Sequence, residues 1–194
     1  DQNIPLVSFT GSTNMGRHVS KTVSERFGKT ILELGGNNCI IVDETADMDL
    51  VVPAIVFGAV GTAGQRCTST RRVMVQESIY EHLKERLVSA YKQVNIGDPL
   101  EDHTLMGPLV NEKAVSDYSN AIERANISGG EVLYGGSAID GPGNFVTPTI
   151  IKAENHWDIV QEETFAPILY LISYKDLDDA IKMHNDVPQG LSSS

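Results

Sequence analysis

The chain is poor in cysteine and in tryptophan. Its 194 residues include two cysteines, Cys39 and Cys67, and one tryptophan, Trp157. Two cysteines cannot build a disulfide framework, and their spacing matches no zinc motif, so no metal site is expected and the chain suits a reducing compartment. Basic residues are also scarce. Fifteen Lys and Arg stand against 26 Asp and Glu, a formal net charge of −11. Such a chain repels phosphate backbones, which argues against nucleic acid as a partner. No apolar run is long enough to span a bilayer, so no membrane partner is expected, and no secretory leader opens the chain. The first residue is Asp1, the opening runs straight into strand-like "IPLVSFT", and the last residues are "GLSSS". Both ends read as cut, so a piece of a longer protein is expected.

What is present is ordinary globular material, 41% apolar and 21% charged, enough for a sizeable core. "PLVSFTG" reads as a strand, followed by a helix with Val19, Val23 and Phe27 on one face, closed by Gly28. "KTILELGGNNCIIVDE" reads as two apolar runs broken by Gly35 and Gly36. "ADMDLVVPAIVFGAV" reads as a helix containing Pro53, and "RRVMVQ" as a strand. Leu83, Leu87, Tyr91 and Val94 lie at helical spacing in the next segment. After a loop come a helix from Glu112 to Ala125, strands in "GGEVLYGG", "NFVTPTII" and "PILYLISY", and a last helix in "DLDDAIKMHND". Alternating strands and helices imply an α/β fold with a largely parallel sheet.

Four segments hold residues that could do chemistry. In "FTGSTNMG", Gly11 and Gly16 bracket a strand-to-helix turn with Ser12 inside it. The turn could offer backbone N–H groups to a phosphate, or be an ordinary capped turn. In "LELGG", Glu33 lies in an apolar run beside two glycines. Burial would raise its pKa and suit it to act as a base, or it could face solvent from a half-exposed strand. In "GTAGQRCTSTRR", Cys67 follows Arg66, whose charge could stabilise a thiolate. The alternative is a small buried hydrophobe, which is also the reading for Cys39. In "QEETFAP", Glu163 could hold sugar hydroxyls and Phe165 could pack on a ring, or the stretch could be a polar loop entering a strand.

Taken in order, "FTGSTxxG", "ELGG", "GQRC" and "EETFAP" resemble the aldehyde dehydrogenase superfamily over essentially the whole chain. The separation of Glu33 and Cys67, 67 − 33 = 34 positions, matches that of the family's base and nucleophile. "ELGGNN" and "GTAGQRCT" with the following "RR" are most similar to the antiquitin branch, whose members oxidise α-aminoadipic semialdehyde. The resemblance implies a parallel-sheet catalytic domain over residues 35–194, incomplete at its C-terminal end, and a remnant of a Rossmann-like NAD-binding domain over residues 1–34. It implies Cys67 as nucleophile, with its backbone N–H as an oxyanion donor, and Glu33 as general base. Gly11, Ser12 and Gly16 would lie at the phosphates of NAD, Leu34 and Gly35 near the nicotinamide, and Glu163 and Phe165 at its ribose. Arg66 would meet a substrate carboxylate, or else form a structural salt bridge. The family's oxyanion-hole asparagine and adenosine-ribose lysine belong upstream of this segment. A small-molecule aldehyde substrate, a homo-oligomeric parent, and a cytoplasmic or mitochondrial setting complete the expectation. The alternatives are an enzyme for a different aldehyde, or a truncated and catalytically inert piece.

Overall fold

The computed structural model describes Asp1 and residues 3–194, which divide into two compact units, Asp1–Gly36 and Asn37–Ser194. In the first unit β1 (Leu6–Thr10) leads into α1 (Thr13–Ser24) and then β2 (Lys29–Glu33). The two strands are parallel, in register from Leu6 opposite Lys29 to Thr10 opposite Glu33, so this is one βαβ turn of chain. Ser12 caps α1 by accepting from the N–H of Met15 (3.3 Å), which satisfies one of the donors a helix start leaves over. Gly16 is buried because the helix lies on Leu34: a Cβ at Gly16 would stand 2.3 Å from Leu34 Cδ2.

The end of α1 differs from the sequence expectation. The helix stops at Ser24, and the left-handed residue that ends it is Phe27 (φ 58°), not Gly28. The Gly28 N–H instead returns to the carbonyl of Val23 (3.0 Å). This reversal turns Phe27 off the face shared by Val19 and Val23 and leaves it 99% exposed.

The second unit is a five-stranded sheet in the order β3-β4-β7-β6-β5. Its strands are β3 (Asn38–Val42), β4 (Thr70–Gln76), β5 (Glu131–Tyr134), β6 (Thr149–Lys152) and β7 (Ile168–Tyr174). All pairs are parallel except β5 with β6. Val73, Met74 and Val75 on β4 and Leu169 to Ile172 on β7 are buried without a break, as strands covered on both faces must be. Beside β3, Ser194 accepts from the N–H of Ile41 (2.9 Å) and donates to the carbonyl of Cys39 (3.1 Å).

Helices α2 (Met48–Val60) and α3 (Tyr80–Tyr91) pack on each other and on β4. Tyr80, Leu83, Leu87 and Tyr91 form the buried stripe of α3. Val94 lies beyond the helix end, partly buried against the same core. Pro53 sits inside α2, so the Asp49 carbonyl loses its helical donor while the helix runs on. The helices α4 (Glu112–Ile127) and α6 (Leu177–Asn185) start on side-chain caps from Asn111 to the Ala114 N–H (2.9 Å) and from Asp176 to the Asp179 N–H (3.0 Å). A single turn, α5 (Asp158–Gln161), lay below the length that periodicity detects. The strand expected over "NFVTPTII" shrinks to Thr149–Lys152, since Pro148 has no N–H to give a ladder. Upstream of it, Thr147 donates to Ser137 (2.9 Å), and the Tyr118 hydroxyl donates to the Thr147 carbonyl (2.7 Å).

Between α2 and β4 the backbone makes an unusual turn. Thr62 (φ 56°), Ala63 (φ 52°) and Gly64 (φ 68°) are consecutive left-handed residues, a conformation that costs a non-glycine residue about 1–2 kcal/mol. At Gly64 a side chain is also excluded, because a Cβ would fall 2.3 Å from the Ala166 carbonyl oxygen and 2.7 Å from Pro167 N. These are backbone atoms and cannot swing away. Gly64→Ala is expected to lower the stability of the second unit by about 2–4 kcal/mol, read as a lower urea midpoint; an unchanged midpoint would contradict the close approach.

Candidate active site

Cys67 sits in the turn that joins this left-handed stretch to β4. The turn is closed twice: the Ser69 N–H donates to the Arg66 carbonyl, and the Arg66 N–H donates to Ser69 Oγ, both at 3.1 Å. Asn38, at the start of β3, donates from its side-chain nitrogen to the carbonyls of Cys67 and Ser69, both at 2.8 Å. Gln65 braces the other side. Its nitrogen donates to Thr62 (3.2 Å) and Pro108 (3.3 Å), and its oxygen accepts from the Val110 N–H (2.9 Å). The Cys67 carbonyl is thus held by Asn38, and the turn around it is tied to Pro108 and Val110 through Gln65, while the residue itself stays half-buried. Cys39 is the opposite case. It is 1% exposed in β3, and burial pushes its thiol up to about 11 against the lowering influence of Arg72. Only Cys67 has the access that a reactive thiol requires.

The Arg66 guanidinium turns away to donate to the Phe57 carbonyl (3.0 Å), and it stacks over the Phe57 ring at 5.0 Å. It borders a mainly apolar cavity of about 420 Å³ with Val52, Val56, Phe57 and Leu105. Its Nε is buried without a partner, and among the described residues it forms no ion pair. Arg71, on β4, reaches the same turn and donates to the carbonyl of Arg66, the residue before Cys67 (3.2 Å).

Arg71 is 2% exposed. Both its terminal nitrogens donate to the Gly64 carbonyl at 3.2 Å. One also donates to the Thr164 carbonyl (2.6 Å), and the other to the Arg66 carbonyl (3.2 Å) and to Glu163 Oε1 (3.4 Å). Its guanidinium carbon lies 5.3 Å from the centre of the Phe165 ring, within cation–π range. Burial pulls the Arg71 guanidinium below its ordinary value, and the Glu163 carboxylate pushes it back. The neighbouring Glu162 belongs to another arginine: Arg124 on α4 grips it through two bonds, of 2.7 and 2.9 Å, and holds its carboxyl below the usual range. Two adjacent carboxylates on one loop are therefore anchored by arginines from two different elements. Glu163 keeps 18% side-chain exposure and Phe165 44%, so both side chains of this loop retain contact with solvent beside Arg71. Sequence reasoning missed Arg71. The signal was there in "RR", two arginines inside an otherwise apolar strand, because a buried guanidinium demands acceptors.

In the first unit, the Gly11 N–H donates to the Glu33 carbonyl (3.0 Å), extending the ladder between β1 and β2. The Ser12 carbonyl accepts from Gly16 (2.9 Å). Gly11 and Ser12 thus close the turn, and what faces outward is the start of α1, where Thr13 and Asn14 have no helical acceptor for their N–H groups. Such an end suits an anion. Leu34 packs on Gly16, and Gly35 is half-buried. Glu33 is exposed at the end of β2. The burial expected to tune its carboxyl is absent from this chain, since its neighbours along β2 alternate between half-buried and exposed. No group of three or more His, Cys, Asp or Glu among the described residues could hold a metal. No described helix is long and apolar enough to cross a membrane.

Comparison with known proteins identifies the family. The family model described as "Aldehyde dehydrogenase family" matches residues 1–194. Aldehyde dehydrogenase family 7 member A1 of Pisum sativum is 54% identical over 194 residues, covering 100% of this chain and 38% of the relative. Alpha-aminoadipic semialdehyde dehydrogenase of Mus musculus is 51% identical over 195 residues, covering 100% of this chain and 36% of the relative. The chain therefore spans less than two-fifths of the length of these relatives. Among solved structures, lactaldehyde dehydrogenase from Escherichia coli superposes with a TM-score of 0.96 at 36% identity, over 99% of this chain and 41% of that one. Betaine aldehyde dehydrogenase from Staphylococcus aureus in complex with NAD+ gives 0.96 at 30% identity, over 99% and 39%. With the family model matched from end to end and a parallel α/β fold shared with its solved members, this chain belongs to the aldehyde dehydrogenase family.

Proposed function

We propose that the chain is the central and catalytic segment of an NAD-dependent aldehyde dehydrogenase, with residues 1–34 the remnant of its cofactor domain and residues 35–194 the incomplete catalytic domain. The observation that carries this reading is the Cys67 turn: a half-buried thiol whose carbonyl is held by Asn38, in a turn whose Arg66 carbonyl is held by the buried Arg71, with the other cysteine, Cys39, fully buried. Cys67 Sγ attacks the aldehyde carbon and forms a thiohemiacetal. The Cys67 N–H donates to the oxygen as it gains charge. A bound nicotinamide would supply the hydride acceptor that lets the thiohemiacetal become a thioester, the hydroxyl proton passing to water. Glu33 then takes a proton from water, the hydroxide adds to the thioester carbonyl, and the carboxylic acid leaves as Cys67 regains its thiol. The start of α1, with Gly11, Ser12 and Gly16 shaping its turn, suits the cofactor's phosphates. Leu34 and Gly35 are assigned to the nicotinamide side, and Glu163 and Phe165 to its ribose. Their partial exposure on one loop supports that assignment.

For the substrate, the similarity to alpha-aminoadipic semialdehyde dehydrogenases supports an aldehyde that carries a carboxylate. Arg66 is the residue to bind it, because its Nε is an unused buried donor at the rim of the 420 Å³ cavity. The grip of Arg66 on Phe57 favours a second reading, in which it only shapes an apolar cavity and the substrate is a plain aldehyde. NADH formation by the full-length enzyme separates them. Under the first reading, α-aminoadipic semialdehyde is preferred over an aliphatic aldehyde, and Arg66→Ala raises KM for the semialdehyde about ten-fold more than for the aliphatic one. Equal effects on both would leave Arg66 its structural role.

Two further variants test the chemistry. Cys67→Ala is expected to lower turnover by at least about 10³-fold, and wild-type turnover would remove Cys67 as nucleophile. Glu33→Gln is expected to give one rapid equivalent of NADH per active site and then a slow steady rate, because only the hydrolytic half is hindered. An unchanged steady rate would take the base role from Glu33.

A further inference from the structure

Resting on the reading of Cys67 as nucleophile and Glu163 as a cofactor contact, we propose that Arg71 is a positioning residue that clamps the nucleophile turn to the Glu163–Phe165 loop. The two segments lie far apart in sequence, and no backbone ladder joins Arg66–Ser69 to Glu163–Phe165. Arg71 joins them through one planar group. On one side it donates to the carbonyls of Gly64 and Arg66, which flank the bend leading into Cys67. On the other it donates to the Thr164 carbonyl and the Glu163 carboxylate, and lies over the Phe165 ring.

The chemistry of the guanidinium makes this assignment specific. Its donors are fixed in one plane, so four acceptors on two segments are held at set separations from one another. A lysine ammonium carries the same charge but is a point on a flexible stem and cannot span both segments. Arg72 provides the internal control. It follows Arg71 on the same strand, so its side chain faces the other side of the sheet. It is 0% exposed, and it donates to the carbonyls of Asn37 (2.9 Å), Met183 (3.1 Å) and His184 (3.2 Å) and to Asn155 Oδ1 (2.8 Å). Both arginines bury a charge and satisfy it with oxygens. Only Arg71 touches the turn of Cys67 and the loop of Glu163.

The test compares Arg71→Lys, Arg72→Lys and Glu163→Gln in the full-length enzyme by steady-state kinetics, by the rate at which iodoacetamide alkylates Cys67, and by thermal melting. Arg71→Lys is expected to raise KM for NAD about ten-fold, to lower kcat/KM about 10²-fold, and to change the Cys67 alkylation rate several-fold. Arg72→Lys is expected to lower the melting temperature at least as much, with KM for NAD and Cys67 alkylation close to wild type. The double variant Arg71→Lys/Glu163→Gln is expected to raise KM for NAD no further than the stronger single change, the mark of two groups acting as one. Arg71→Lys and Arg72→Lys behaving alike, or additive effects in the double variant, would overturn the clamp. Glu163→Gln provides an independent arm if Arg71→Lys does not accumulate in soluble form. The clamp requires it to alter Cys67 alkylation from the other segment, and an unchanged rate overturns the proposal. Wild-type turnover by Cys67→Ser would instead sink the functional reading, and the clamp with it. An inactive Cys67→Ser beside a wild-type-like Arg71→Lys would sink the clamp alone.

Discussion

A guanidinium taken out of water has to be given oxygens to replace it, and β4 takes two of them into the second unit in succession. Because side chains alternate along a strand, the two demands are met on opposite sides of the sheet. Arg71 gathers the bend before Cys67 and the loop after α5, while Arg72 gathers the start of β3, Asn155 and the end of α6. Segments that share no ladder are tied to the central strand in this way. The shape of the candidate site follows from satisfying those donors as much as from apolar packing, which fixes β4 through Val73, Met74 and Val75.

The site is also a place where local backbone preference loses to tertiary demand. Thr62 and Ala63 accept left-handed angles, and Gly64 lies against the backbone of Ala166 and Pro167. Two non-glycine residues in a row in this conformation are costly. They persist because Gln65 holds Thr62, Pro108 and Val110 together, and because Arg71 takes the Gly64 carbonyl. The result is a cysteine whose backbone cannot relax while its side chain stays accessible.

Much of the fold was legible in the residues. The runs of β3, β4 and β7 stand out because burial on both faces makes them continuously apolar, and the stripe Leu83, Leu87, Tyr91 because burial on one face imposes a helical period. Ends were harder to read. Phe27 was assigned to a helical face because spacing alone does not reveal that the left-handed position falls on it rather than on Gly28, and β6 was overextended across Pro148, which cannot donate. The candidate residues could be named from their motifs, and their surroundings could not. Arg66 precedes Cys67 directly, yet adjacent side chains diverge and its guanidinium goes to Phe57. Arg71 is four positions away and comes close because the turn folds back on the strand. Glu33 sits in an apolar run that alternates in exposure, and its own position is an exposed one.

The side chain of Asn38 has a consequence for the order in which the site is built. Its nitrogen holds the carbonyls of Cys67 and Ser69, and its oxygen accepts from the N–H of Ser192 (3.1 Å), 154 residues further along the chain. The contacts that orient this amide thus span 29, 31 and 154 residues, and the longest closes against the largest loop entropy. During synthesis, β3 and the turn emerge long before Ser192 does. The amide's hold on the turn can thus form early, and its last bond, which pins the oxygen and so fixes which way the amide faces, only once Ser192 has been made.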